Sequence, residues 1–164
     1  MSYVRFAAMI IVSIVIMFGL MYLNTFASDH IFFSQTRAWM ALLMGAVMAA
    51  IMLLFMWSMY ANRNINFAIL AVSAGVFAVS LWLVRSQETV DDVSYMKAMI
   101  PHHSIAIMTS DRAHIRDARV RKLADGIIAA QVKEIDEMKA LIKDLEEHPI
   151  SSNAPEIAPT VSPE

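Results

Sequence analysis

The segment Ala38–Asn62 reads AWMALLMGAVMAAIMLLFMWSMYAN, and no charged side chain interrupts it. A helix needs about 20 apolar residues to cross the roughly 30 Å hydrocarbon core of a bilayer, so this run is long enough to span one. Two further charge-free runs flank it, one between Phe6 and Ser28 and one between Asn64 and Val84. The chain therefore reads as all-α, with three transmembrane helices over about 6–28, 38–61 and 65–84. Tyr3, Tyr22, Trp39, Trp57, Tyr60 and Trp82 fall near the ends of these runs, where amphipathic rings prefer the headgroup region. Arg5 precedes the first run and Thr25-Phe26-Ala27 closes it in the manner of a secretory signal. Its apolar stretch exceeds the 7–15 residues of such a region, which predicts an uncleaved anchor.

Composition agrees. The 164 residues are 58% hydrophobic with a positive mean hydropathy, and the charges are segregated. Residues 1–85 carry only Arg5, Asp29, Arg37, Arg63 and Arg85, whereas the remainder is rich in charge and net acidic. This divides the chain into a transmembrane region (1–85), a helical domain (86–148) and a tail (149–164). The tail is rich in Pro and Ser and cannot bury a core, so it is expected to be disordered. The absence of cysteine excludes disulfides, thiolate metal sites and cysteine nucleophiles. Arg112, Arg116, Arg119, Arg121 and Lys122 are interleaved with Asp111, Asp117 and Asp125, which marks a solvated helix turn and not a nucleic-acid surface. With the N-terminus inside, Arg5 and Arg63 face the cytoplasm while Arg37 and Arg85 face outward, so charge alone leaves the orientation tied.

Beyond Asp91 the pattern changes to that of soluble amphipathic helices. Leu123, Ile127, Ile128, Gln131, Ile135, Met138, Ile142 and Leu145 recur at spacings of three and four, predicting a helix over Asp117–Glu147. A preceding helix is expected from Thr89 or Val90 to Ala113, with Pro101 kinking it or starting it afresh. Together they make a helical hairpin.

On the first of these helices Asp92, Met96, Met99 and His103 share a stripe, with Tyr95, His102 and Ala106 flanking it. An antiparallel partner would bring Gln131, Glu134 and Met138 across from it. Thioether sulfur favours Cu(I) and Ag(I) over hard cations, and imidazole suits copper in either oxidation state. The donors therefore point to copper, Cu(I) or Cu(II), with silver as its analogue. Metal ligands are expected among Met96, Met99, His102, His103, Glu134 and Met138, with Asp92 and Gln131 supporting them.

At these positions the chain resembles the bacterial domain-of-unknown-function family number 305. The resemblance lies in Asp92-x-x-Tyr95-Met96-x-x-Met99-Ile100-Pro101-His102-His103 followed by Ile127-Ile128-x-x-Gln131-x-x-Glu134-Ile135-x-x-Met138, and covers about residues 88–147. It implies half of a ferritin-like four-helix bundle outside the cytoplasm, with Met99, His102, His103 and Met138 as ligands. Some members are implicated in copper binding and tolerance, and the resemblance tips the topology toward an N-terminus inside. The surrounding Met and His residues are fewer here than in Met-rich members, so high capacity is not expected.

Each feature also has a plainer reading. Adjacent histidines diverge by about 100° on a helix, so one of them can be a hydrogen-bonded core residue partnered by Gln131 or Glu134. Met99 and Met138 can be packing, and Gln131 can satisfy a buried donor. His114 and His148 sit beside helix ends, and His30 beside Asp29 in a loop, where helix-dipole or solvent roles are the default. Met40, Met44, Met48, Met52 and Met56 form an i, i+4 ladder that reads as helix packing beside Gly45 and Ala49 more readily than as a thioether track. With no carboxylate, Lys or His inside the runs, a pump is not expected.

The chain thus reads as a multi-pass protein of the cytoplasmic membrane, in contact with lipid, that buffers copper at the outer face or exchanges it with a donor or acceptor protein. The competing class is an accessory subunit whose hairpin packs against a partner without metal. No enzyme is expected, since no nucleophile triad, phosphate loop or Glu-x-x-His di-iron motif occurs. A two-helix hairpin leaves an apolar face uncovered, so a homo-oligomer is expected, with docking onto its own membrane helices as the other way to cover that face.

Overall fold

The computed structural model describes residues 2–151 and 153–161, and among them every regular element is helical. Five α-helices follow in order: α1 (Tyr3–Leu20), α2 (Gln35–Phe55), α3 (Arg63–Ser86), α4 (Asp92–Arg112) and α5 (Ala118–Glu147). Short 3-10 turns occupy Ser28–His30 and Trp57–Met59. The first three helices are each long and apolar enough to cross a membrane.

Their ends differ from the charge-free runs. α1 stops at Leu20, and the residues up to Ser34 form a loop between α1 and α2. Freedom from charge tells which residues can enter a bilayer, not which are helical. Asn24, Thr25 and Ser28 offer the backbone other hydrogen bonds, and the Thr25 hydroxyl donates to the Tyr22 carbonyl at 2.9 Å. Side chains set the starts of the other helices. Ser34 accepts from the Arg37 N–H, Asn62 from Asn64 and Ile65, Asp91 from Ser94, and Asp117 from Arg119, each satisfying a donor that the first helical turn leaves free. The 18 residues of α1 rise about 27 Å.

α2 lies between α1 and α3. Gly45 lets α1 approach closely, because a Cβ there would collide with the Ile14 side chain. Phe6, Ile10, Ala49, Leu53 and Tyr60 form the core of this region, with Met48, Met52 and Met56 packed against it. Three rungs of the methionine ladder are therefore packing. Asn66, fully buried at the start of α3, accepts from the Tyr3 hydroxyl at 2.8 Å and donates to the Tyr60 carbonyl at 3.1 Å, tying α3 to α1 with its polar groups satisfied.

α4 and α5 form the hairpin. Met96, Ile100, Ile107, Ile135 and Ile142 make its core, joined by Met138 and by Phe32 from the α1–α2 loop. α4 runs through Pro101 as one helix, with no fresh start. The ring costs one backbone donor, but it and Ile100 are fully buried, which holds the helix together there. Beyond α5 the described residues 149–151 and 153–161 carry no helix or strand. The expectation of a disordered tail falls partly on Ser152, Ser162, Pro163 and Glu164, outside the described residues.

Candidate functional site

The helical step that spreads adjacent residues by about 100° decides which donors meet. A cleft of about 1050 Å³ opens along one side of the hairpin, lined by Asp92, Met96 and His103 from α4 and by Glu134, Met138 and Leu141 from α5. Gln87 and Val90 close it at the α3–α4 junction, and Ile150 lies at its edge. Five of the eight residues singled out in the sequence thus share one cavity.

The other three do not line it. His102 is exposed, its ring centroid 6.3 Å from that of His103, so the pair implied as joint ligands is split by one helical step. Met99 is half-buried outside the cleft. Gln131 borders a separate hollow beside Arg119 and Lys122, and its amide donates to Glu134 Oε2 at 3.2 Å. This contact orients the carboxylate.

His103 is the centre of the arrangement. Its side chain is only 14% exposed, and Nδ1 lies 3.1 Å from Glu134 Oε2. The carboxylate sits off the line an Nδ1 proton would take, so the nitrogen is buried with no hydrogen-bond partner. Burial holds this imidazole below its ordinary pKa; the Glu134 carboxylate pulls the other way and His102 adds to the lowering. His103 is accordingly neutral at neutral pH, with a lone pair to offer. Among the described residues no group of three or more His, Asp or Glu side chains is placed to hold a metal ion.

A second polar cluster fixes the hairpin to the α1–α2 loop. Ser104, with no exposed surface, accepts the Phe26 N–H at 2.7 Å and lies 3.0 Å from His30 Nδ1. Lys139 on α5 pairs with Asp29 at 2.6 Å, and Gln35 donates to Ser94 at 3.2 Å. His30 is therefore a docking residue and not a solvent-facing one. Burial and the Lys139 charge hold it below its ordinary pKa, against Asp29 and Asp136. The only trace of this cluster in the sequence is a serine at a helical step in an otherwise apolar stripe of Met96, Ile100 and Ile107. The basic group at the hairpin tip is partly neutralised, Arg119 by Asp117 and Arg121 by Asp125, both at 2.8 Å.

The helices that build the cleft, together with the segment after them, match a known family. Residues 92–161 match the family described as "Domain of unknown function (DUF305)". The match supports the resemblance read from the Met-Ile-Pro-His-His motif, and it includes every cleft residue from Asp92 onward. The chain is also similar to an uncharacterized protein of Acanthamoeba polyphaga mimivirus, 32% identical over 88 residues. The alignment takes in 52% of this chain and 58% of that protein, so the chain spans little more than half the length of this viral relative. No solved structure matches it.

Proposed function

We propose that this protein is a membrane-anchored, non-enzymatic binder of a soft metal ion, Cu(I) or its analogue Ag(I). It holds the ion at the hairpin cleft and buffers it, or hands it to another protein, at the outer face of the cytoplasmic membrane. One observation carries the reading: a buried, neutral imidazole nitrogen without a hydrogen bond, 3.1 Å from a carboxylate oxygen, in a cleft shared with two thioethers. Two donors on one tetrahedral metal, each at about 2.0–2.1 Å, lie roughly 3.3 Å apart, so the spacing suits a shared ion. A zinc or di-iron centre needs more His, Asp and Glu ligands than the described residues bring together. Any site here must recruit sulfur from Met96 and Met138, and sulfur selects Cu(I) and Ag(I).

The test is titration of the detergent-solubilised full chain with Ag(I), or with Cu(I) under reducing conditions. His103→Ala is expected to weaken binding at least tenfold, about 1.4 kcal/mol, with Met138→Leu weaker in effect and His102→Ala nearly silent. Equal affinity in the wild type and His103→Ala sinks the proposal. The competing reading, an accessory subunit in which His103 and Glu134 only pack, is favoured by the missing third His, Asp or Glu donor and requires no binding at all.

A further inference from the structure

The α1–α2 loop determines how the hairpin stands. Its base is closed where Tyr22 accepts the Ser34 N–H and Arg37 reaches the Met21 carbonyl, and Ser94 of α4 is fixed beside this base through Gln35. Ser104, ten residues or about 15 Å further along the helix, is fixed at the far end of the loop, at Phe26 and His30. α4 therefore climbs away from the membrane-spanning helices along the loop, and α5 descends beside it. One face of the upright hairpin is occupied by the loop. The cleft lies on another face, which the chain's own membrane helices do not cover.

That face is apolar along the cleft, at Tyr95 and Leu141, and past it, at Leu123 and Ile127. Leu123 and Leu141 on α5 are 65% and 46% exposed and Tyr95 on α4 is 54% exposed, and Ile127 continues the line at the same helical spacing. These residues are distinct from Ile135 and Ile142, which pack against α4. A soluble surface rarely keeps so long an apolar stripe open.

We infer that a second copy of this chain covers this stripe and apposes its own His103–Glu134 pair to the first. Two copies inserted in one membrane with the same sidedness can be related by a two-fold only about the bilayer normal. Upright hairpins so related meet level, each residue near its own counterpart, and four helices close around the cleft. The inference rests on the metal reading in one respect: one copy supplies two imidazole or carboxylate donors, the rest of its site being thioether sulfur from Met96 and Met138, and the partner's pair adds two more. The apposed Glu134 carboxylates repel until a cation lies between them, so metal and dimer should stabilise each other.

The chain contains no cysteine, so single cysteines report cleanly. In native membranes Leu141→Cys should be captured as a dimer by a short bis-maleimide, whereas Lys143→Cys, two residues away on another face of α5, should react several-fold less. In detergent the cysteine-free chain should scatter light as a dimer. Ag(I) should lower its dissociation on dilution at least tenfold, and His103→Ala should abolish that response. Equal capture at 141 and 143 together with a monomeric mass overturns the inference. Selective capture at 141 with no uptake of Ag(I) supports the interface and overturns the metal reading instead.

Discussion

Ser104 and His30 show how much one side chain carries here. The serine oxygen serves a backbone donor and an imidazole at once, and the imidazole is kept neutral by burial and by Lys139. The docked form therefore takes up a proton less readily than a released loop, whose histidine titrates near pH 6.5. By linkage the contribution is complete above that pH and is lost as the pH falls through the lowered docked value. Asp29, kept below the usual carboxylate range by its hydrogen bond to Lys139, stays charged over the same interval. Amide exchange at Phe26, corrected for the intrinsic rate, should show clear protection at pH 7.5 and much less at pH 5. Equal protection at both would remove His30 from the docking. At this scale the sequence was partly legible. Met96, His103, Glu134 and Met138 could be placed together because they lie at helical spacings on two helices that had to face each other. Phe26 and Ser104 are 78 positions apart, and no local pattern joins them.

Among the elements, the α1–α2 contact is the most sensitive to side-chain volume. A Cβ on Gly45 would overlap Ile14, whereas one on Gly75 of α3 meets nothing. Gly45→Ala should lower the stability of the membrane region by about 1–3 kcal/mol through overpacking, and Gly75→Ala should leave it unchanged or slightly raised. Thermal unfolding of both variants in one detergent decides this, and a neutral Gly45→Ala would show that α1 can move off α2 at no cost. Helix number and order were readable from charge-free runs and apolar periodicity. The ends were less so, because α1 ends where Asn24 and Thr25 begin to compete for the backbone and not where charge returns. The capping residues Ser34, Asn62, Asp91 and Asp117 would have placed four of the starts more closely than hydropathy did.

For the whole molecule, three helices long and apolar enough to cross a membrane would, if all three cross it, put the N-terminus and the hairpin on opposite faces. The loop charges leave the tie unbroken, Arg37 counting as one of the two outward arginines while its guanidinium packs over the Tyr22 ring, 4.5 Å from the centroid, and donates to the Met21 carbonyl. A reporter that functions only outside the cytoplasm, fused after Glu147, should be active. Activity from a reporter that works only inside would reverse the orientation and move the cleft to the cytoplasmic face. The contact between Phe26 and Ser104 also sets a schedule. At roughly 5–20 residues per second, the ribosome needs about 4–16 s to pass from one to the other, and Ser104 must still leave the exit tunnel. Throughout that interval the loop waits with its amide and the Phe32 ring unclaimed, so a nascent chain stalled before α4 would present to the cell's quality control a surface that the finished protein never shows.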